Sequence, residues 1–172
     1  MRVLKKRCMI LNKIMDVEKA VRKELRGREV SIRPSETLAT TVVKHIHKKV
    51  LDKRRIDKER SGDELVYEPQ EEVVCYCLEE VGAKLLSVFL EGSPDDIMHE
   101  QVVGSSIPYD ELRRYAEKKG LLVTPLALNE QEKNILSLVH EHGDEQTLLG
   151  LRKSFEYLQK EYEKNTQEQL KE

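Results

Sequence analysis

Tryptophan is absent from these 172 residues, and phenylalanine occurs only twice. A core must therefore be built mostly from Leu, Val and Ile, with little aromatic bulk. Cysteine is scarce as well, at Cys8, Cys75 and Cys77. An odd number, with two of the three one residue apart, does not make the disulfide framework of a small secreted domain. It points to a reducing, cytoplasmic setting. No run approaches the ~20 apolar residues that span a bilayer, so no membrane association is expected. The stretch Met1–Arg7 is basic, but the apolar run after it, Cys8–Leu11, is too short for a signal peptide. Met15 is as good a start as Met1, and the sequence leaves both open, the first 14 residues being a start-site artefact in the second case. Catalytic signatures are missing too: there is no Gly-rich phosphate loop, no G-x-S-x-G and no H-E-x-x-H. No cofactor is expected.

What the chain does have is a divided charge. Residues 1–60 carry 19 Lys/Arg against 8 Asp/Glu, a net of +11. Residues 61–172 carry 11 against 24, a net of −13, so the overall −2 conceals a strong asymmetry. The expected division is a basic helical segment, 1–60, and an acidic helix-rich α+β core, 61–172, with a long C-terminal helix. The two can also form a single domain. A basic block of this size neutralises phosphates, which makes nucleic acid the first partner to consider. It also suits docking against an acidic protein surface, in the same chain or in another.

Apolar spacing predicts the elements. Ile10, Ile14, Val17, Val21 and Leu25 form one helical stripe, ended by Gly27. Arg28–Arg33 alternates like a short strand. Ser35 is the expected N-cap of a second helix. Its Leu38, Ala39, Val42, Val43, Ile46 and Val50 share one face, opposite Lys44, Lys48 and Arg55. The charged stretch 52–64 reads as an exposed loop or frayed helix end. A third helix is predicted from Pro69 to about Val81, with Gly82 as its stop and 83–90 as a buried strand; the alternative carries the helix on to Leu90. Ser93-Pro94-Asp95-Asp96 signals another helix start, ending at Gly104. Helices follow at 109–119, stopped by Gly120, and at Glu130–His142, opened by an Asn129/Glu132 capping box, with 121–128 between them as a strand. A last helix carries Leu148, Leu151, Phe155, Leu158 and Tyr162 on one seam. That seam can pack on the N-terminal stripe or on a second chain, with a monomer or a weak homodimer expected. The fold class is helix-rich α+β, five to seven helices with at most a small sheet.

Three pairs invite a metal: His45/His47, Cys75/Cys77 and His140/His142. Residues two apart on a helix diverge by roughly 160°, and zinc favours wider ligand spacings, so no metal site is expected. The two close cysteines read as buried thiols on an apolar helix face. Asp95, Asp96, His99 and Glu100 place acids and an imidazole on adjacent turns, the basis of a possible small enzyme, although capping already explains the acids. The expectation leans away from catalysis. Leu128–Gly143 resembles the first helix of winged-helix DNA-binding domains. The segment after Gly143 lacks the turn and recognition helix, and residues 129–172 carry 6 basic and 10 acidic residues, which repel phosphate.

The site that remains is the basic helix and its extension: Lys44, Lys48, Lys49, Lys53, Arg54, Arg55, Lys58 and Arg60, with Arg22, Lys23, Arg26, Arg28 and Arg33 as possible additions. No Phe, Tyr or Trp lies within residues 1–60, so contact would be to backbone phosphates rather than by base stacking. The expected function is a non-enzymatic nucleic-acid-associated protein, RNA or DNA. The runner-up is an interaction or assembly module whose terminal helices dock a partner.

Overall fold

The computed structural model describes residues 16–62, 66–91, 100–143 and 145–169. Among these are six helices and three strands: α1 at 16–24, β1 Val30–Ile32, α2 Leu38–Ser61, β2 Glu71–Cys75, α3 Leu78–Glu91, β3 Val102–Val103, α4 Tyr109–Lys119, α5 Glu130–His142 and α6 Glu145–Gln169. This is a helix-rich α+β fold with a small parallel sheet.

The chain forms two compact units. One joins the residues up to Cys77 with Val102–Leu126; the other joins Leu78–Gln101 with Ala127–Glu172. By sequence the first carries 23 basic against 16 acidic residues, net +7, and the second 7 against 16, net −9.

The first unit is built on the sheet, in the order β1-β2-β3. Both pairings are parallel, with Val30 opposite Glu71 and Val74 opposite Val102. A parallel pair requires a crossover, and α2 supplies it between β1 and β2. The link from β2 to β3 contains the second unit's first segment. Val17 and Val21 of α1, Val43 and Ile46 of α2, Val73 of β2 and Leu112 of α4 are all at most 1% exposed and share one core. β1, at the edge of the sheet, is covered by Tyr67, whose hydroxyl donates to Val30 O (2.6 Å) and accepts from Val30 N–H (3.0 Å). Arg28 Nε donates to Glu71 at 2.6 Å and Arg33 Nε to Glu72 at 2.9 Å, holding the β1–β2 register at both ends. After β3 the chain turns at Gly104, where φ is +91° and an added Cβ would lie 3.0 Å from Tyr76 O. Its N–H donates to Glu24 (2.6 Å), whose other oxygen accepts from the Ser106 hydroxyl (3.0 Å).

The second unit is helical. α3 packs on both α5 and α6. Leu148 and Phe155 of the α6 seam are buried, and Leu151 and Leu158 are half-buried. Lys84 of α3 donates to the buried Glu132 of α5 at 3.1 Å. The seam thus finds its partner in α3, within its own unit; Val17 and Val21 of the N-terminal stripe belong to the other unit's core, and Ile10 and Ile14 lie outside the described residues.

Several boundaries differ from the sequence reading. Residues 71–75 are strand rather than helix: Val73, Val74 and Cys75 are all buried, and a pairing with β1 some 40 residues away leaves no local mark. Residues 83–90 are helix rather than strand. Gly82 does not stop α3; an added Cβ there would sit 2.9 Å from Leu148 Cδ2, so this glycine lets α6 approach closely. α2 continues through 52–61 to a cap at Gly62. Its N-cap is Thr37, not Ser35, whose hydroxyl instead bonds those of Thr37 (3.2 Å) and Thr40 (2.5 Å). Residues 121–128 are not a strand. The expected helix from Ser93 falls mostly outside the described residues, and Val102–Val103, where it was to end, is strand. α1's stop near Gly27, α4 with its Gly120 stop and α5 with its capping box stand where the residues placed them.

Candidate nucleic-acid interface

α2 has two halves. From Leu38 to Ile46 one face is buried in the core; beyond Leu51 only Arg54 is even half-buried. Good helix formers carry the second half without tertiary support, and Lys58 and Arg60 lie on the negative end of the helix dipole. The eight predicted residues are therefore displayed on one continuous helix.

Lys44, Lys48, Lys53, Arg55, Lys58 and Arg60 are exposed, and Lys49 and Arg54 are half-buried. At 100° per residue, Lys44, Lys48, Arg55 and Lys58 fall within about 80° of arc, a stripe about 21 Å long. Lys49, Lys53 and Arg60 fall on a second line, on the side that faces the core in the first half. Between residues 44 and 60 these 8 cations meet only Asp52, Asp57 and Glu59, a local net of +5. Arg55 pairs with Glu59 at 3.4 Å, and Lys49 Nζ donates to Glu18 of α1 at 3.2 Å. Among the described residues Lys44, Lys48, Lys53, Lys58 and Arg60 make no ion pair.

The proposed N-terminal additions divide. Arg28 and Arg33 are engaged by Glu71 and Glu72, and Arg22 by Glu18 at 3.7 Å. Lys23 and Arg26 are exposed.

His45 has its ring edge-on to Tyr115 (6.2 Å), whereas His47 meets Tyr67 (5.9 Å), so the two diverge as helical neighbours should. Burial first, then the charge of Arg54, holds the His47 imidazole below its ordinary range. His140 and His142 are exposed at the end of α5. Cys75 closes β2 and Cys77 precedes α3, both buried. Since neither is helical, the divergence argument does not apply to them. No group of three His, Cys, Asp or Glu able to hold a metal occurs among the described residues. Asp95, Asp96 and His99 lie outside those residues; Glu100 lies within, its carbonyl accepting from Gln159 at 2.7 Å.

Sequence reasoning missed the polar junction around Glu18, where α1, α2 and α4 meet. Its members are up to 97 residues apart, and no local pattern connects them.

No helix among the described residues is long and apolar enough to cross a membrane. Comparison with protein-family models, curated proteins and solved structures finds no match in any of the three.

Proposed function

We propose that the protein binds RNA or DNA in the cytoplasm, without a catalytic role, by laying backbone phosphates along α2. The observation that carries this reading is the stripe Lys44, Lys48, Arg55 and Lys58: solvent-facing cations, of which, among the described residues, only Arg55 is ion-paired, and that on its own helix. Cations left without internal partners keep their charge available to an external polyanion, and each one seated on a phosphate releases a counterion. With no Phe, Tyr or Trp on α2 to stack bases, contact is to the backbone and sequence preference is weak. The net −9 of the second unit discourages indiscriminate adhesion to polyanions.

The test is fluorescence anisotropy with mixed-sequence RNA and DNA across a salt series. Affinity should fall steeply with salt, and Lys44→Glu with Lys48→Glu should weaken binding equally for all sequences. Losing both contacts should reduce the log–log salt slope by about 1.8, or about 0.9 per phosphate. No binding at about 50 mM salt, where such contacts are strong, rules the reading out. Recovery of an acidic protein through the same stripe would then support the docking alternative.

A further inference from the structure

Three cationic heads converge on Glu18. Lys49 Nζ lies 3.2 Å from Oε1, Lys119 Nζ 4.0 Å from the same oxygen, and Arg22 Nη2 3.7 Å from Oε2. They come from α2, α4 and α1, so the folded unit brings together charges that are distant in sequence. Tyr115, fully buried, donates its hydroxyl to Glu18 at 2.8 Å, and Lys119 lies 5.8 Å from the centre of the Tyr115 ring. Three cations thus face one carboxylate, a local surplus of two positive charges. All four charged side chains keep between 25% and 44% of their surface exposed, so an external anion can reach them.

Beside this junction the buried Nε2 of His45 has no hydrogen-bond partner among the described residues. The charged and titratable groups bearing on it are Glu18 from α1, Lys48 and Lys49 from its own helix, and Tyr115 and Lys119 from α4. Burial, then Lys49 and Lys119, holds this imidazole below its ordinary range against the pull of Glu18.

We propose that the junction of α1, α2 and α4 is a binding site for a phosphate monoester, gripped by Arg22, Lys49 and Lys119, with Glu18 as the resident carboxylate that competes with the ligand for the three cations. A monoester carries close to two negative charges and three acceptor oxygens, matching the surplus and the number of donors. An internal diester carries one charge and leaves the surplus half satisfied. The ligand is thus a terminal phosphate of a nucleic acid or a free phosphate. The site does not rest on the stripe: Lys119 and Arg22 lie off α2, and the junction holds its surplus whether or not the stripe binds nucleic acid.

The experiment is calorimetric titration of the full chain with inorganic phosphate, and with one oligonucleotide carrying either a 5′-phosphate or a 5′-hydroxyl. Inorganic phosphate should bind. Preference for the phosphorylated oligonucleotide identifies a nucleic-acid end as the source, and equal binding of the two, with phosphate still bound, identifies a free phosphate. Lys119→Ala should weaken phosphate binding about tenfold, the value of one charge-assisted hydrogen bond. Glu18→Gln should tighten it, because the variant removes the competing charge while keeping an acceptor for Tyr115; an unfolding artefact would act the other way. In wild type, phosphate should raise the titration midpoint of the His45 ring protons. No phosphate binding, full affinity in Lys119→Ala, no tightening in folded Glu18→Gln, or an unmoved His45 midpoint would each overturn the proposal. If Glu18→Gln fails to fold, Lys119→Ala and the His45 midpoint decide. Loss of diester binding with phosphate binding intact would count against the stripe alone.

Discussion

The two units use charge differently. In the first, beside pairs within one helix such as Arg55–Glu59, ion pairs also join distant segments: Arg28 to Glu71, Arg33 to Glu72, Lys49 and Lys119 to Glu18. In the second, ion pairs such as Lys133–Glu130 and Arg152–Glu156 lie within one helix, and Lys84 bridges α3 to Glu132 of α5. Its last helix turns an apolar seam to α3, with Leu148 and Phe155 buried. A sheet of short parallel strands leaves backbone and side-chain polar groups to be matched across long sequence distances, and charged side chains match them. A helical unit satisfies its backbone internally and needs only an apolar seam. The cations that remain on α2 are those the first unit's pairing did not use.

The largest effect expected from this contrast is in the sheet-built core. Leu112→Ala, at a fully buried position, should destabilise the first unit by about 2–5 kcal/mol in urea unfolding. Leu138→Ala, on an exposed position of α5, should change stability by less than about 0.5 kcal/mol. If the two costs are alike, the first unit's core is not what sustains it.

Next comes Gly104→Ala. The left-handed backbone and the close approach to Tyr76 O should together cost about 1–3 kcal/mol, read from the same unfolding curves. In the second unit, Gly82 and Leu148 should be coupled instead. Gly82→Ala should be more favourable in a Leu148→Ala background than alone, with an interaction energy of about 0.5–3 kcal/mol in a double-mutant cycle. Strict additivity would mean that α3 and α6 do not meet at this glycine.

Acid should separate the units by a smaller margin. His45 and His47 are held below the ordinary imidazole value of 6.5, so the folded first unit favours their neutral forms. That stabilisation is fully present above pH 6.5 and is lost as pH falls below it toward the folded values. Glu18 and Glu71 are held below 4.5: in Glu18 burial opposes the shift but the bonds from Tyr115 and Lys49 prevail, and in Glu71 the bond from Arg28 leads. Their contribution is present above pH 4.5 and lost below it. The melting temperature should therefore fall between about pH 7.5 and about pH 5.5, and His45→Phe with His47→Phe should flatten that fall. An undiminished fall in the double variant would place the acid sensitivity elsewhere.

Where the sequence reading succeeded, the signal was a complete local instruction. Asn129 and Glu132 bond each other's backbone within three residues, and Gly120 accepts a left-handed backbone where α4 must end. Where it failed, the deciding partner was far away. Glu71–Cys75 carries two glutamates and follows a proline, which suits a helix start, yet the open pairing positions of β1 make it a strand. Gly82 has the composition of a stop, but the Leu148 side chain turns it into a crossing point. The basic stripe was legible because helical periodicity shows which residues share a face. That Lys49 turns to Glu18 was not, because Glu18 is 31 residues away on another helix.

By itself, then, the sequence determined the helix-rich class, the amphipathic first half of α2, the caps of α4 and α5 and the concentration of positive charge ahead of residue 61. All of these follow from spacing, capping chemistry or charge within a few turns of chain. Only the tertiary structure decided the parallel order β1-β2-β3, the strand identity of 71–75, the α3–α6 crossing at Gly82 and the gathering of Arg22, Lys49, Lys119 and His45 around Glu18. Each depends on groups separated by tens of residues, and their meeting is set by how buried surface and polar partners are satisfied across the whole unit.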